Sequence, residues 1–215
     1  IDKKTLVASF FKNKKRAAHS FLSPKDPWYD PQKIQERYSY SPQKARELLE
    51  TEGWKKSEDG FRYKNGVKLS LPFVTTAGSK TRETVQLYLV DQWKKVGVEV
   101  IVKNAPARAM FDSVIKRQYP AMAMYAISFM PEPSLSTYYH SKNIPSEANA
   151  WSGRNTTGWI NEKLDGLLEK IDSEMNFSKR KKLVSQIANL YMDDAPTIPL
   201  YYRLDSAVTP KNLQG

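Results

Sequence analysis

The sequence has 215 residues, 40% of them hydrophobic and 27% charged, which fits one large or two small globular domains. It contains no cysteine, so disulfides, thiolate nucleophiles and cysteine-ligated metal sites are excluded. No apolar run reaches the roughly 18 residues of a membrane-spanning helix. The net charge of +11 indicates either a polyanionic partner such as nucleic acid or a solvated basic surface.

The chain opens on IDKKTLVASFF, which is typical of the middle of a folded element, and residues 5–11 are predicted to be the end of a helix. We therefore expect a fragment that lacks its amino-terminal part. A second helix is predicted after Ser41, whose side chain is a suitable cap. Leu48 and Leu49 share one face of this helix and are expected to dock on the core, while Gly53 suits the turn that ends it.

The stretch FRYKNGVKLSLPF contains Asn65-Gly66, which favours a type I′ turn and therefore a β-hairpin. The segments that follow alternate between strands and helices, which predicts parallel strands joined by right-handed crossovers. They are a strand over 67–73, a helix over 80–96, a strand over 98–102, a helix over 107–117 and a doubly covered apolar strand over 121–127.

The carboxyl-terminal part is predicted to be mainly helical. One apolar stripe begins at Ile160 and ends at Ile171, a second runs over 183–191 with Ser178 as the cap of its helix, and a closing strand is predicted over 198–204. We expect an α/β fold with a mixed, mainly parallel sheet flanked by helices.

The sequence contains few residues suited to catalysis or metal binding. Its two histidines, His19 and His140, lie far apart in polar loops and are expected to be solvated. The stretch TTAGSK, 75–80, lacks the glycine spacing of a nucleotide-binding loop and is interpreted as a plain turn. We therefore predict no enzyme activity, no cofactor and no metal site.

The loop 127–143 is the best candidate for a binding site. It is rich in aromatic residues and proline, and it leaves the predicted strand 121–127 at its carboxyl end, where ligands collect in open α/β sheets. A well-packed connecting loop is an equally good interpretation of its composition.

Four segments, in order along the chain, resemble bacterial solute-binding proteins of peptide-type ABC transporters (family 5). SPQKARELLETEGW is similar to the family pattern D/S-P-x-K-A-x-x-L-L-x-x-x-G-W. The other three segments are IDKKTLV, RETVQLYLVDQWKKVGVEV and the region from GWINEKLDGLLEKI to DDAPTIPLYY. Any one of them is a weak signal, but four in the same order across nearly the whole chain are specific.

This resemblance implies a periplasmic-binding-protein-like lobe. Residues 1–215 would form the single carboxyl-terminal lobe of a two-lobed protein, with the returning segment at about 195–215 and the amino-terminal lobe absent. The implied protein is a periplasmic or cell-surface lipoprotein that delivers a peptide or other small solute to an inner-membrane ABC permease. It is implied to have no enzyme activity and to bind no nucleic acid. The alternative interpretation is a basic domain that binds nucleic acid or another polyanion.

The resemblance also suggests where a solute would bind. The predicted ligand-binding residues are Tyr125, Ser128, Phe129, Glu132, Trp151 and Arg154. Peptide-binding relatives carry a W-x-x-D stretch before an E/D-P pair, and its aspartate captures the α-amine of the peptide. Here Glu132-Pro133 matches the pair, but Ala126 and Phe129 stand where the tryptophan and aspartate are expected. This departure leaves a peptide and other small solutes open as ligands.

Overall fold

The computed structural model describes residues 1–13, 16–127 and 134–204. The helices are α1 (Lys3–Phe11), α2 (Pro42–Thr51), α3 (Lys80–Lys94), α4 (Ala107–Ile115), α5 (Leu135–Tyr139), α6 (Glu162–Ser173) and α7 (Phe177–Asp194). The strands are β1 (Lys55–Lys56), β2 (Arg62–Lys64), β3 (Val67–Lys68), β4 (Ser70–Thr75), β5 (Glu99–Val102) and β6 (Met122–Met124). Short 3-10 turns lie at Ser141–Asn143 and Glu147–Asn149.

A parallel sheet with strand order β5-β4-β6 confirms the predicted alternation of strands and helices. β4 is central, and its successive side chains point to opposite faces because a strand has a two-residue period. Phe73 packs with α3 and α1 on one face, and Val74 packs with Met110 and Val114 on the other. The segment around β6 contributes to both clusters, as expected for a strand covered on both sides.

A separate antiparallel sheet, β1-β2-β3, contains the predicted hairpin. Asn65 and Gly66 have φ values of 52° and 78°, as a type I′ turn requires. The strand expected over 67–73 is divided between the two sheets at Leu69. The Leu69 N–H donates to the Arg62 carbonyl at 2.8 Å, and its carbonyl accepts from Glu99 N at 3.0 Å. The α/β class is confirmed, and the antiparallel pairing lies beside the parallel sheet.

The helices α5, α6 and α7 surround a third hydrophobic cluster, which also receives Leu22 and Trp28 from the early part of the chain. The predicted stripes on α6 and α7 are buried here, except that Ile160 precedes α6 and is exposed. Ser178 as a cap is wrong. Asn176 caps α7 by accepting from Lys179 N at 3.0 Å, which places Ser178 inside the first turn.

The predicted closing strand over 198–204 is also wrong for the described residues. Tyr201 forms one antiparallel bridge with Ala17, and no named strand begins there. Backbone bonds flank the bridge, from Ala18 N to Leu200 O at 3.1 Å and from Tyr202 N to the Arg16 carbonyl at 2.8 Å. The alternation of the sequence is real, but the partner segment bends after the bridge, at residues 19–22.

The cap and the end of α2 follow the prediction. Ser41 Oγ accepts from Lys44 N at 3.2 Å, and Gly53 has a φ of 87°. The expected docking of its apolar face is wrong, because Leu48 is 56% exposed and no residue of α2 is buried within the described chain. A helical period shows that a face is apolar, but not that another element covers it.

Contacts of Arg62, and not apolar packing, attach the end of α2 to the rest of the chain. Its side chain is fully buried, its Nη1 donates to the Trp54 carbonyl at 2.7 Å, and its Nε donates to the Val96 carbonyl at 2.8 Å. Its Nη2 lies 3.2 Å from Glu50 Oε1. One side chain thus joins α2, the antiparallel sheet and the turn after α3.

Candidate functional site

The carboxyl ends of β4, β5 and β6 meet at one edge of the parallel sheet, which is where the sequence predicts the site. At this edge Thr75 is buried, and its Oγ1 donates to the Met124 carbonyl at 2.8 Å. Thr76 accepts from Arg82 Nη1 at 2.6 Å, so a guanidinium lies next to the end of β4. Arg82 is a residue of this edge that sequence reasoning missed.

The turn 75–80 behaves as the plain turn that was predicted. The Gly78 N–H, which a bound anion would need, donates to Glu83 Oε1 at 2.9 Å. Because this amide is already satisfied by a carboxylate, the turn offers no free anion-binding donor at Gly78.

Tyr125 directly follows β6 and joins the sheet edge to the loop before α6. Its ring packs edge-on against Phe111 at 5.9 Å, and its hydroxyl shares a hydrogen bond of 2.9 Å with Thr156 Oγ1. Tyr119 donates its hydroxyl to the Thr156 carbonyl at 3.1 Å, and burial raises the pKa of this tyrosine. Two tyrosines therefore fix Thr156, two residues beyond the candidate Arg154.

The loop 144–160 is built around the buried amide of Asn155. This side chain is 2% exposed, and its Nδ2 donates to the carbonyls of Tyr139, His140 and Trp159 at 3.2, 3.4 and 3.0 Å. Its backbone N–H donates to the Asn143 carbonyl at 3.1 Å. Asn155 is a further residue that sequence reasoning missed, because a loop has no periodic pattern.

Two glycines in this loop have conformations that other residues rarely adopt. Gly153 has a φ of 104°, and a Cβ placed there would clash with the Asn143 carbonyl oxygen. Gly158 has a φ of 69°, and its Cβ would clash with Arg117 Nη2. Two glycines on either side of an asparagine were the available signal for a tightly folded loop in this region.

The predicted site residues divide into two groups. Tyr125 is partly buried at the sheet edge, Trp151 is partly buried with a φ of 59°, and Arg154 is exposed with its guanidinium 5.7 Å from the Tyr138 ring centre. The structure brings Tyr125 to the loop of Trp151 and Arg154 through Thr156. Ser128, Phe129 and Glu132 lie outside the described residues, so their place at the site stays a prediction.

His140 differs from the expectation of a solvated histidine, because it is buried against α6 directly after α5. Its Nδ1 accepts from Lys142 N at 3.1 Å and lies 3.3 Å from Asp165 Oδ1. His19 is partly exposed beside Glu36, at 3.4 Å. Within residues 1–13, 16–127 and 134–204, no group of three or more histidine or acidic side chains is placed to hold a metal ion. The helices described there include none with the length and apolar character needed to cross a membrane.

Similarity to known proteins identifies the family of this chain. Residues 1–146, more than half of the chain, match the family described as Bacterial extracellular solute-binding proteins, family 5 Middle. The chain belongs to this family. The oligopeptide-binding protein AppA of Bacillus subtilis (strain 168) is 27% identical over 217 residues, which is 100% of this chain and 39% of AppA.

Solved structures of similar proteins agree in fold. An oligopeptide binding protein from Thermus thermophilus, complexed with a pentapeptide, is 29% identical with a TM-score of 0.86 over 94% of this chain and 36% of that one. AppA from Bacillus subtilis, in complex with a nonapeptide, is 25% identical with a TM-score of 0.81 over 94% and 39%. This chain therefore spans about two fifths of the length of these relatives.

Proposed function

We propose that this chain is the carboxyl-terminal lobe of the substrate-binding component of an ABC importer. The protein captures a peptide or another small solute between two lobes and delivers it to a membrane permease. It is located in the periplasm or is a lipoprotein at the cell surface. It carries out no catalysis. The single observation that best supports this is the close match of 94% of the chain to an oligopeptide binding protein complexed with a pentapeptide.

The geometry of the sheet edge supports the same proposal. Tyr125, Thr156 and Tyr119 form a hydrogen-bonded unit between the parallel sheet and the loop of Arg154. Such a fixed aromatic wall suits ligand binding, because little conformational entropy is lost when a solute packs on it. A second lobe would close the site from the other side.

The side chains of the proposed wall favour van der Waals and stacking contacts with the solute over ionic binding of an α-amine. Phe129 stands at the position where peptide-binding relatives have an aspartate, so the α-amine of a peptide would lack that counter-ion. A buried ammonium without a counter-ion is costly. Arg154 is exposed and its guanidinium is available for a carboxylate of the solute, as in a charge-assisted hydrogen bond. The proposed solutes are therefore peptides whose α-amine is bound without an aspartate at position 129, or small anionic or neutral molecules.

Calorimetry on the protein that carries both lobes tests the proposal. Titration with a pool of short peptides, and then with single peptides and small anions, should give saturable binding. Arg154→Ala and Phe129→Ala should each weaken this binding by roughly tenfold, as expected for the loss of one charged or aromatic contact. Glu132→Ala should also weaken it, and none of the three variants should lower the melting temperature appreciably.

Arg46→Ala is the matched control, because Arg46 is also exposed but lies on α2, whose end is held beside the turn that precedes β5. It should leave the affinity unchanged. An equal affinity of the 215-residue chain alone and of the two-lobed protein would contradict capture between lobes. Binding of duplex DNA at near-physiological salt, with an affinity that falls steeply as salt rises, would instead support the polyanion-binding alternative.

A further inference from the structure

The turn between α6 and α7 exposes two large apolar side chains. Three residues, 174–176, join the two helices, which pack against each other through the cluster around Leu168 and Ile187. At this turn Met175 is 92% exposed and Phe177 is 52% exposed. We refer to residues 170–183 as the hairpin tip.

The hairpin tip is a rigid feature. The Phe177 ring lies against Trp28, with ring centres 4.7 Å apart, and the Arg180 guanidinium lies 5.3 Å from the Trp28 ring centre. Arg180 Nη1 also donates to the carbonyls of Ile171 and Glu174, at 2.7 and 3.3 Å. The last turn of α6 is thereby fixed, and Met175 stays directed away from the core.

Lysines lie close to this turn, on one side of the hairpin. Lys170, Lys179 and Lys182 line a groove beside the turn, and none of the three forms a salt bridge with any residue that the structure describes. Glu174 is the acidic residue of the groove, and its Oε1 accepts from Asn176 N at 2.8 Å. Positive charge is therefore in excess around the tip.

The lysines on α7 do not stabilise the helix through its dipole. The run KRKK, 179–182, occupies the first turns of an 18-residue helix, where the positive end of the helix dipole disfavours cations. Arg180 has the structural role described above, but Lys179 and Lys182 have none within the described chain. An anionic partner would explain why cations are placed at this end.

We propose that the hairpin tip docks on the surface of an anionic lipid bilayer. Met175 and the exposed face of Phe177 would enter the headgroup region, while the lysines approach the lipid phosphates and the net charge of +11 adds long-range attraction. Lysine stems also cover apolar surface while their ammonium groups reach outward. The contact is peripheral and holds the importer component close to the membrane.

Co-sedimentation of the 215-residue chain with vesicles tests this proposal. Vesicles of phosphatidylcholine with about 30 mol % phosphatidylglycerol should bind the chain, and pure phosphatidylcholine should bind it far less. Binding should fall as salt rises from about 0.05 to 0.5 M. Lys179→Gln with Lys182→Gln should weaken binding by about 30-fold, because each lysine near an anionic surface contributes roughly a factor of five. Met175→Ser should weaken it by about tenfold.

Matched controls separate the tip from the general charge of the chain. Lys55→Gln with Lys56→Gln removes two charges from the exposed strand β1, and Leu87→Ser removes another exposed apolar side chain, 62% accessible, from α3. Both controls should weaken vesicle binding far less than the corresponding tip variants. Equal losses in the tip and control variants, or no preference for phosphatidylglycerol, would overturn the proposal. Binding to soluble poly-glutamate without binding to the vesicles would assign the tip to a protein partner and overturn it as well.

Discussion

At the scale of single residues, the loop beside the candidate site depends on the two glycines that differ in what surrounds them. Both have positive φ values, 104° at Gly153 and 69° at Gly158. A methyl group at Gly153 would meet the backbone carbonyl of Asn143, which is fixed by its own hydrogen bond from Asn155 N. At Gly158 it would meet the end of the Arg117 side chain, which can move.

Gly153→Ala should therefore be much more destabilising than Gly158→Ala. We expect Gly158→Ala to lower the free energy of unfolding by about 1–2 kcal/mol, the usual cost of a left-handed residue with a Cβ. Gly153→Ala should cost about 3 kcal/mol or more, because backbone atoms must also shift. Urea unfolding of the two variants measures the difference, and equal losses would show that the Asn143 carbonyl yields easily.

At the scale of elements, α2 is attached through polar contacts of its end instead of its apolar face. The buried Arg62 guanidinium donates to the carbonyls of Trp54 and Val96, whereas its ionic partner Glu50 is largely exposed. Buried carbonyls that lose their donor cost more than a half-exposed ion pair. The carbonyl bonds should therefore carry most of the stabilisation.

Arg62→Met keeps an aliphatic stem but removes every one of these bonds, and it should lower the free energy of unfolding by about 2–4 kcal/mol. Glu50→Gln should cost no more than about 1 kcal/mol. Hydrogen exchange should show faster exchange of the α2 amides in Arg62→Met only. If Glu50→Gln releases α2 to the same extent, the ion pair is the main attachment.

The sequence was sufficient for elements that depend on local chemistry. Asn65-Gly66 specifies its turn, and Ser41 specifies its cap, because each acts within four residues. It was not sufficient where a distant partner decides the outcome, as for the exposed Leu48 or the segment 198–204. The candidate site is intermediate: its sheet edge follows from the order of strands and helices, but Thr156 and Asn155 act through contacts that no period reveals.

At the scale of the whole molecule, buried tyrosines make the stability of the fold depend on pH in the alkaline range. The helical cluster contains Tyr139 and Tyr191, both buried, whereas the two clusters of the parallel sheet contain no fully buried tyrosine within the described chain. Burial raises the pKa of Tyr139 well above its usual value, and it raises that of Tyr191 to about 12. Ionisation of either hydroxyl is thus opposed by the fold.

Because the folded pKa of Tyr191 exceeds the unfolded value of 10.0, its contribution to stability is complete below that pH and is lost as the pH rises toward 12. Each unit of pH in this window should remove about 1.4 kcal/mol through this group. The free energy of unfolding of Tyr191→Phe, measured with urea at several pH values, should fall less steeply with pH by that amount per unit. Tyr40→Phe, at an exposed position, is the control, and an unchanged slope in Tyr191→Phe would contradict the prediction.

The bridge between Ala17 and Tyr201 also constrains the order of events in folding. Tyr202 donates its hydroxyl to the carbonyls of Ser20 and Leu22, at 3.1 and 2.7 Å, so several backbone groups of residues 16–22 find partners in a segment about 180 positions later. Loops of this length close slowly, and these contacts form only after ribosomal synthesis has passed Tyr202. In pulse-labelled hydrogen exchange, the amides of Ala18 and Tyr202 should become protected together, after those of α3.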